Sequence, residues 1–203
     1  MSLSTYAALK TSVAGWMNVS ASDLSSQIDD VVTLGETRVY REARTRDAET
    51  SYSTAMASGV VSVPSDYVEM KFLYLDGSPT SILERRSAEW VYTEYPTRSS
   101  SNRPRFWARD AGSFIFGPYP DSNYTVKGVY YKKFAALSSA VNNQFLNNPD
   151  LYLFACLAES EILIGRDSRI PIWEAKYNKI LQDVNGLAKR EDVSGSTLRM
   201  RLG

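Results

Sequence analysis

Hydrophobic positions recur at helical spacing near both ends of the chain and at strand spacing between them. Near the start, Tyr6, Leu9, Val13 and Trp16 share one face of a helix that Ser4 or Thr5 can cap, and residues 18–20 break it. A second, longer helix opens at Ser22 or Asp23. At about 100° per residue its Leu24, Ile28, Val31, Val32, Gly35 and Val39 form one apolar stripe. The stripe then turns ionic: it carries Glu42 and Arg46, with Arg38 at its edge, so one helix is expected to run through residues 33–47. Arg38, Glu42 and Arg46 step at i, i+4 and i+8, the spacing of an alternating-sign ladder. On a solvated helix end such pairs are worth under about 1 kcal/mol. As the continuation of a core stripe they favour a surface facing the bundle or a neighbouring subunit.

From Ser51 the period changes to two. Residues 51–57, 59–64 and 69–75 read as short strands, and Asp76-Gly77 is a strong hairpin signal leading to Ile82 and Leu83 on the return strand. Ser87 can cap a short helix that Pro96 ends. Residues 96–104 hold serines, Asn102 and two prolines, so this loop should project and display Arg98 and Arg103 as contact candidates. A further hairpin is expected around Asp110, Ala111 and Gly112. In the strand that follows, Tyr124, Val126, Gly128 and Tyr130 face one side and Thr125, Lys127, Val129 and Tyr131 the other. The connections look too short for parallel crossovers, which predicts an antiparallel arrangement.

A polar loop over residues 140–148 leads to Pro149 and Asp150, which start a helix apolar nearly all round through Leu151, Leu153, Phe154, Leu157, Ile162 and Leu163; such a helix belongs at the centre. Pro171 suits the first turn of the last helix, where Trp173, Tyr177, Ile180, Val184 and Leu187 repeat as one seam. The fold class is therefore α+β: a bundle of four helices drawn from both ends, with a small antiparallel sheet or sandwich inserted. The helical part takes residues 1–50 and 147–193, the β part residues 51–135. Beyond Val193 the seam stops. Ser194, Gly195 and Ser196 supply a hinge, after which Leu198, Met200 and Leu202 alternate with Thr197, Arg199 and Arg201. That period describes a strand with one apolar and one basic face. Residues 194–203 are expected to be a docking arm that adds to a partner.

Composition narrows the function. Lys plus Arg and Asp plus Glu number 23 each among 203 residues, so no global field draws the chain to nucleic acid or to an anionic membrane. No apolar run is long enough to cross a bilayer and the start lacks a signal-peptide pattern, so a soluble product made in the cytosol is expected, with no membrane partner. There is no histidine and one cysteine, Cys156. That removes the usual general base, the common nucleophile pairs and a cysteine-rich metal site, so no enzyme activity, catalytic residue, metal or cofactor is expected. Carboxylate pairs remain: Asp66 with Glu69 or Glu159 with Glu161 would serve a cell-wall hydrolase that needs only two acids. Thirteen tyrosines and four tryptophans, many in the β part beside arginines, suit a protein interface. A single-strand-binding module is the alternative.

The run Leu34, Glu36, Arg38, Arg41, Glu42, Arg44, Thr45, Arg46 and Asp47, and the ending Ser194, Gly195, Ser196, Leu198, Arg199, Met200 and Arg201, resemble the head-to-tail adaptor proteins of short-tailed bacteriophages, similar in role to the tail tubular protein A class. Residues 6–18, 74–77, 102–112, 129–137 and 149–161 follow in the matching order. Ala43 departs, standing where such proteins are expected to carry a larger apolar residue. The resemblance implies a structural virion protein of the neck. It would form a ring, a dodecamer, that joins the portal protein to the tail nozzle or tail tube and leaves a channel in which DNA makes transient contact. It also implies that Leu198, Arg199, Met200, Arg201 and Leu202 contact portal or neighbour.

Overall fold

The computed structural model describes residues 3–19, 27–96, 101–164 and 167–194. These divide into two compact units. One is helical and built from both ends of the chain, residues 1–48 and 134–203; the other is residues 49–133.

In the helical unit, α1 (Tyr6–Met17) begins where Thr5 Oγ1 accepts the Ala8 N–H at 3.1 Å, and it stops at Asn18, which takes the left-handed conformation at φ 59°. Leu9 and Val13 are buried as the pattern requires, whereas Trp16 stands half exposed and meets Phe154 edge-on. α2 (Gln27–Glu42) buries Ile28, Val31, Val32, Gly35 and Val39, the predicted stripe. Leu24 and the opening at Ser22 or Asp23 lie outside the described residues. The helix ends at Glu42, five residues short of the expected Asp47. Its last carbonyls have other partners: Arg44 Nη1 donates to the carbonyls of Tyr40, Arg41 and Ala43, while Asn185 Nδ2 takes that of Glu42. A 3₁₀ turn, Arg46–Ala48, then leads into the β unit.

The β unit contains β1 (Glu49–Met56), β2 (Val60–Ser62), β3 (Tyr67–Asp76), β4 (Ser81–Arg85), α3 (Ala88–Glu94), β5 (Phe106–Asp110), β6 (Ser113–Gly117) and β7 (Tyr124–Lys132). All seven strands join one sheet in the order β1-β7-β3-β4-β5-β6-β2. The two outer strands are consecutive in the chain, and Tyr52 Oη on β1 donates to Ser62 O at the end of β2 at 3.2 Å, so the sheet curls into a nearly closed barrel. Burial alternates on β7, with Val126, Gly128 and Tyr130 inward. A Cβ on Gly128 would stand 2.3 Å from Phe72 O, so only glycine lets β3 approach where its register shifts. Phe114 fills the barrel with Tyr52, Tyr67 and Trp107 edge-on around it. Several of the aromatics that read as interface candidates are thus core, while Trp90 of α3 and Tyr95 at its C-cap pack with Phe106 of β5.

The helical unit resumes with α4 (Asn143–Asn147), α5 (Pro149–Glu159), α6 (Glu161–Ile164) and α7 (Ile170–Val193). α5 is central, packed against α1, α2, α4 and α7, with Leu151, Ala155, Cys156 and Leu157 fully buried. Each such leucine contributes about 2 kcal/mol by leaving water. Arg169, held by Asp167, donates to the carbonyls of Trp16 and Met17 and so ties the start of α7 to the C-terminus of α1.

A four-helix bundle carrying a small antiparallel sheet or sandwich is therefore the wrong description. The expected polar loop over residues 140–148 contains α4, whose Gln144 and Phe145 are buried, and α6 follows α5 as a separate turn. The sheet is a single seven-stranded, barrel-like one. Its β4 and β5 run parallel, paired at Glu84 with Phe106 and Arg85 with Trp107. Residues 86–105, with α3 on the way, are long enough for the crossover that a parallel pair needs.

At Gly35, α2 and α5 touch backbone to backbone: a Cβ there would lie 2.7 Å from Cys156 Sγ and 2.9 Å from Cys156 N. Gly35→Ala is expected to lower stability by about 1–3 kcal/mol, since neither backbone can yield without moving a helix. Gly15, also helical, has nothing within 4 Å of such an atom, and Gly15→Ala should raise stability by up to about 1 kcal/mol. Urea midpoints moving in opposite directions would bear this out; equal shifts would not.

Candidate functional site

The last turn of α2 carries the ionic end of its stripe to α5 and α7. Arg38, with its side chain 19 % exposed, donates through Nη1 to Glu174 Oε2 at 2.8 Å and through Nη2 to Glu174 Oε1. The planar guanidinium and carboxylate match two-pronged, a geometry lysine could not reproduce. Arg38 Nη1 also reaches Glu159 Oε1 at 3.2 Å, at the C-terminal end of α5, and Nε lies 3.5 Å from Glu42 Oε1. The guanidinium stacks on the Tyr177 ring, 4.3 Å from its centroid. Tyr177 Oη in turn donates to Glu42 Oε2 at 2.8 Å, and Asn178 Nδ2 donates to Glu174 Oε1 at 3.1 Å.

One arginine thus answers three carboxylates drawn from α2, α5 and α7. Hydrogen bonds from Arg38 hold the Glu174 carboxyl below its ordinary value, and Glu174 holds the guanidinium charged. Burial, reinforced by Glu42, pushes the Tyr177 hydroxyl upward, so it remains a proton donor. Burial likewise pushes up the Cys156 thiol, which is packing and not a nucleophile.

The three residues read as a ladder are placed in two sets. Arg38 and Glu42 are joined at i, i+4. Arg46 stands past the helix end and pairs with Glu191 of α7, Nε to Oε2 at 3.0 Å. Arg103 is half-buried, and its Nη2 donates to Pro79 O, in the β3–β4 turn. Arg98 lies outside the described residues, as do Leu198, Arg199, Met200, Arg201 and Leu202. Of the carboxylates weighed for hydrolysis, Asp66 accepts from Tyr130 Oη at 2.8 Å and Glu159 from Arg38. Among the described residues no group of three or more His, Cys, Asp or Glu side chains is placed to hold a metal, and no helix is long and apolar enough to cross a membrane.

Sequence reasoning misses Glu174 and Asn185, which answer α2 from across the bundle, and singles out Glu159 only as a hydrolytic acid beside Glu161, not as a partner of Arg38. The signal available for Glu174 is its place one turn before Tyr177, on the flank of the last helix's seam. Asn185 carries no comparable signal, and nothing in the spacing joins Glu159 to Arg38.

The chain belongs to the SU10 adaptor protein family, whose model matches residues 4–201. It is accordingly a phage adaptor, a structural protein associated with the virion; the narrower likeness to short-tailed phages and the tail tubular protein A class lies beyond what this match reaches. No curated protein matches the chain.

Because the folded value of Glu174 lies below 4.5, the stabilisation it supplies is complete above about pH 4.5 and is lost as pH falls through the folded value. Glu174→Gln should cost about 1 kcal/mol at pH 7, a modest figure because the carboxylate is more than a third exposed. Urea midpoints taken stepwise toward pH 3 should show the gap to wild type closing. A gap independent of pH would place the effect elsewhere.

Proposed function

We propose that this adaptor is one subunit of a closed ring, a dodecamer, that joins the portal vertex to the tail nozzle or tail tube and leaves a channel for DNA. The observation that carries this reading is the family match over nearly the whole chain. A cyclic ring is built from heterologous contacts, so each subunit needs two different complementary side faces as well as faces for the partners above and below. Balanced, interspersed charge suits such a molecule, since no single-sign field keeps copies apart. The Arg38, Glu42 and Arg46 region is proposed to lie on or beside a subunit interface, and Arg98 and Arg103 to belong to a contact loop. Leu198, Arg199, Met200, Arg201 and Leu202 form the arm that docks on portal or on an adjacent subunit. Assembly takes place in the host cytoplasm and the product resides in the neck of the virion.

Mass measurement in dilute solution tests this. The purified protein is expected to be monomeric or weakly associated alone and to form a ring when portal is added. A chain that stays monomeric with authentic portal present contradicts the connector role. A nucleic-acid-binding module would instead bind single strands with an affinity that falls steeply as salt rises. Deleting residues 197–203 should weaken assembly onto portal by about tenfold or more, equivalent to about 1.4 kcal/mol.

A further inference from the structure

On the helical unit, an apolar patch lies where α1, α5 and α7 meet. Trp16, at the end of α1, is 47 % exposed and sets its ring edge-on to Phe154 of α5, centroids 5.9 Å apart. Lys176 of α7 stands over the same Phe154 ring at 5.1 Å. Ile172, one turn earlier on α7, is 58 % exposed. Arg169, a turn before that and already held by Asp167, donates to the Trp16 carbonyl, so the pieces are contiguous. Exposed apolar surface rimmed by polar groups marks a contact, and an exposed tryptophan beside an arginine is the composition of a binding hot spot. The rim is basic. Lys176 and Lys179 are a turn apart on the exposed side of α7, and among the described residues neither meets a carboxylate. Asp183, one turn further on, ends the basic stretch.

We propose that this patch is one side face of the ring subunit and that it receives α3 of a second copy of the chain. The inference rests on the ring reading above and names the two surfaces that meet. Charge selects the occupant. Among the described elements, α3 is the one with two exposed carboxylates that meet no cation, Glu89 and Glu94, and an exposed aromatic, Tyr92, between them. Glu89 and Tyr92 are three residues apart and share a face, while Val91 is buried against the sheet. Tyr92 Oη donates to Asp110 Oδ2 at 2.6 Å, which fixes the ring and sets a third carboxylate beside it. An acidic, aromatic helix thus complements an apolar patch rimmed by lysines: Trp16 and Ile172 take Tyr92, and Lys176 and Lys179 answer Glu89 and Glu94. The two surfaces belong to different elements, so every copy offers one and receives the other. Such a contact is heterologous, which a cyclic ring requires.

The test is charge reversal in the full-length chain, with assembly onto portal read by mass. One variant carries Lys176→Glu and Lys179→Glu, the other Glu89→Lys and Glu94→Lys. All four side chains are exposed, so both variants should melt close to wild type. Each variant alone sets like charges across every contact and should assemble about tenfold or more weakly. An equimolar mixture of the two should recover the ring, because the reversed surface of each meets the matching surface of the other. A role in folding or in gripping portal would not produce that recovery. If either variant alone assembles as wild type does, or if the mixture fails to recover, the pairing of α3 with the patch is overturned while the wild-type ring stands. Failure of the wild type itself to form a ring with portal removes both.

Discussion

Arg38 is the point on which the helical unit turns. It joins α2 to Glu174, 136 residues further along the chain, and the whole β unit is threaded between them. A bundle assembled from both ends of a chain must fix how its two portions meet. Apolar seams specify that register only loosely, because a leucine accepts many neighbours. A forked guanidinium with three carboxylates accepts few arrangements. Ion pairs of this partly exposed kind add modest net stability; their expected role here, which a double-mutant cycle tests, is to favour one alignment of α2, α5 and α7.

Beneath the ions lies a closer constraint. Gly35 and Cys156 bring the backbones of α2 and α5 together so tightly that no side chain fits between them, and Val39 and Ala43 extend the same buried contact toward the ionic turn. Ala43 is small where a larger apolar residue was expected, and it is 3 % exposed. A bulkier side chain there would push apart the segment that Arg44 and Asn185 draw onto α7 through the Arg44 N–H and Asn185 Oδ1, 2.8 Å apart. Close packing and ion pairing therefore act on one joint: the first sets the distance between helices and the second sets their alignment.

Periodicity made the apolar stripe of α2, the inward face of β7 and the central place of α5 legible, because each follows from spacing along one element. Capping by Thr5 and Ser87 was legible for the same reason. The early end of α2 was not, since the groups that stop it include Asn185, 143 residues from Glu42. Nor was the sheet. Alternation reveals which face of a strand is buried but not which strand lies beside it. The pairings of β1 with β7 and of β2 with β6 join distant segments. The parallel β4–β5 pair was hidden by a crossover that reads as a short helix and a polar loop. At the candidate site the pattern singled out Arg38 and Glu42, while their partners Glu159, Glu174 and Tyr177 lie on other helices and emerge only with the fold.

The phage adaptor has a helical unit whose ionic joint at Arg38 is extended past the end of α2 by the Arg46–Glu191 pair. Arg38 holds α7 to α2 together with Tyr177, Asn185 and the Arg46–Glu191 pair. A double-mutant cycle of Arg38→Met and Glu174→Gln, read from denaturant midpoints at neutral pH, measures that link directly. A coupling of about 1–2 kcal/mol is expected for a two-pronged, partly buried pair. Effects that add within about 0.3 kcal/mol would mean that Arg38 does not hold the two helices together.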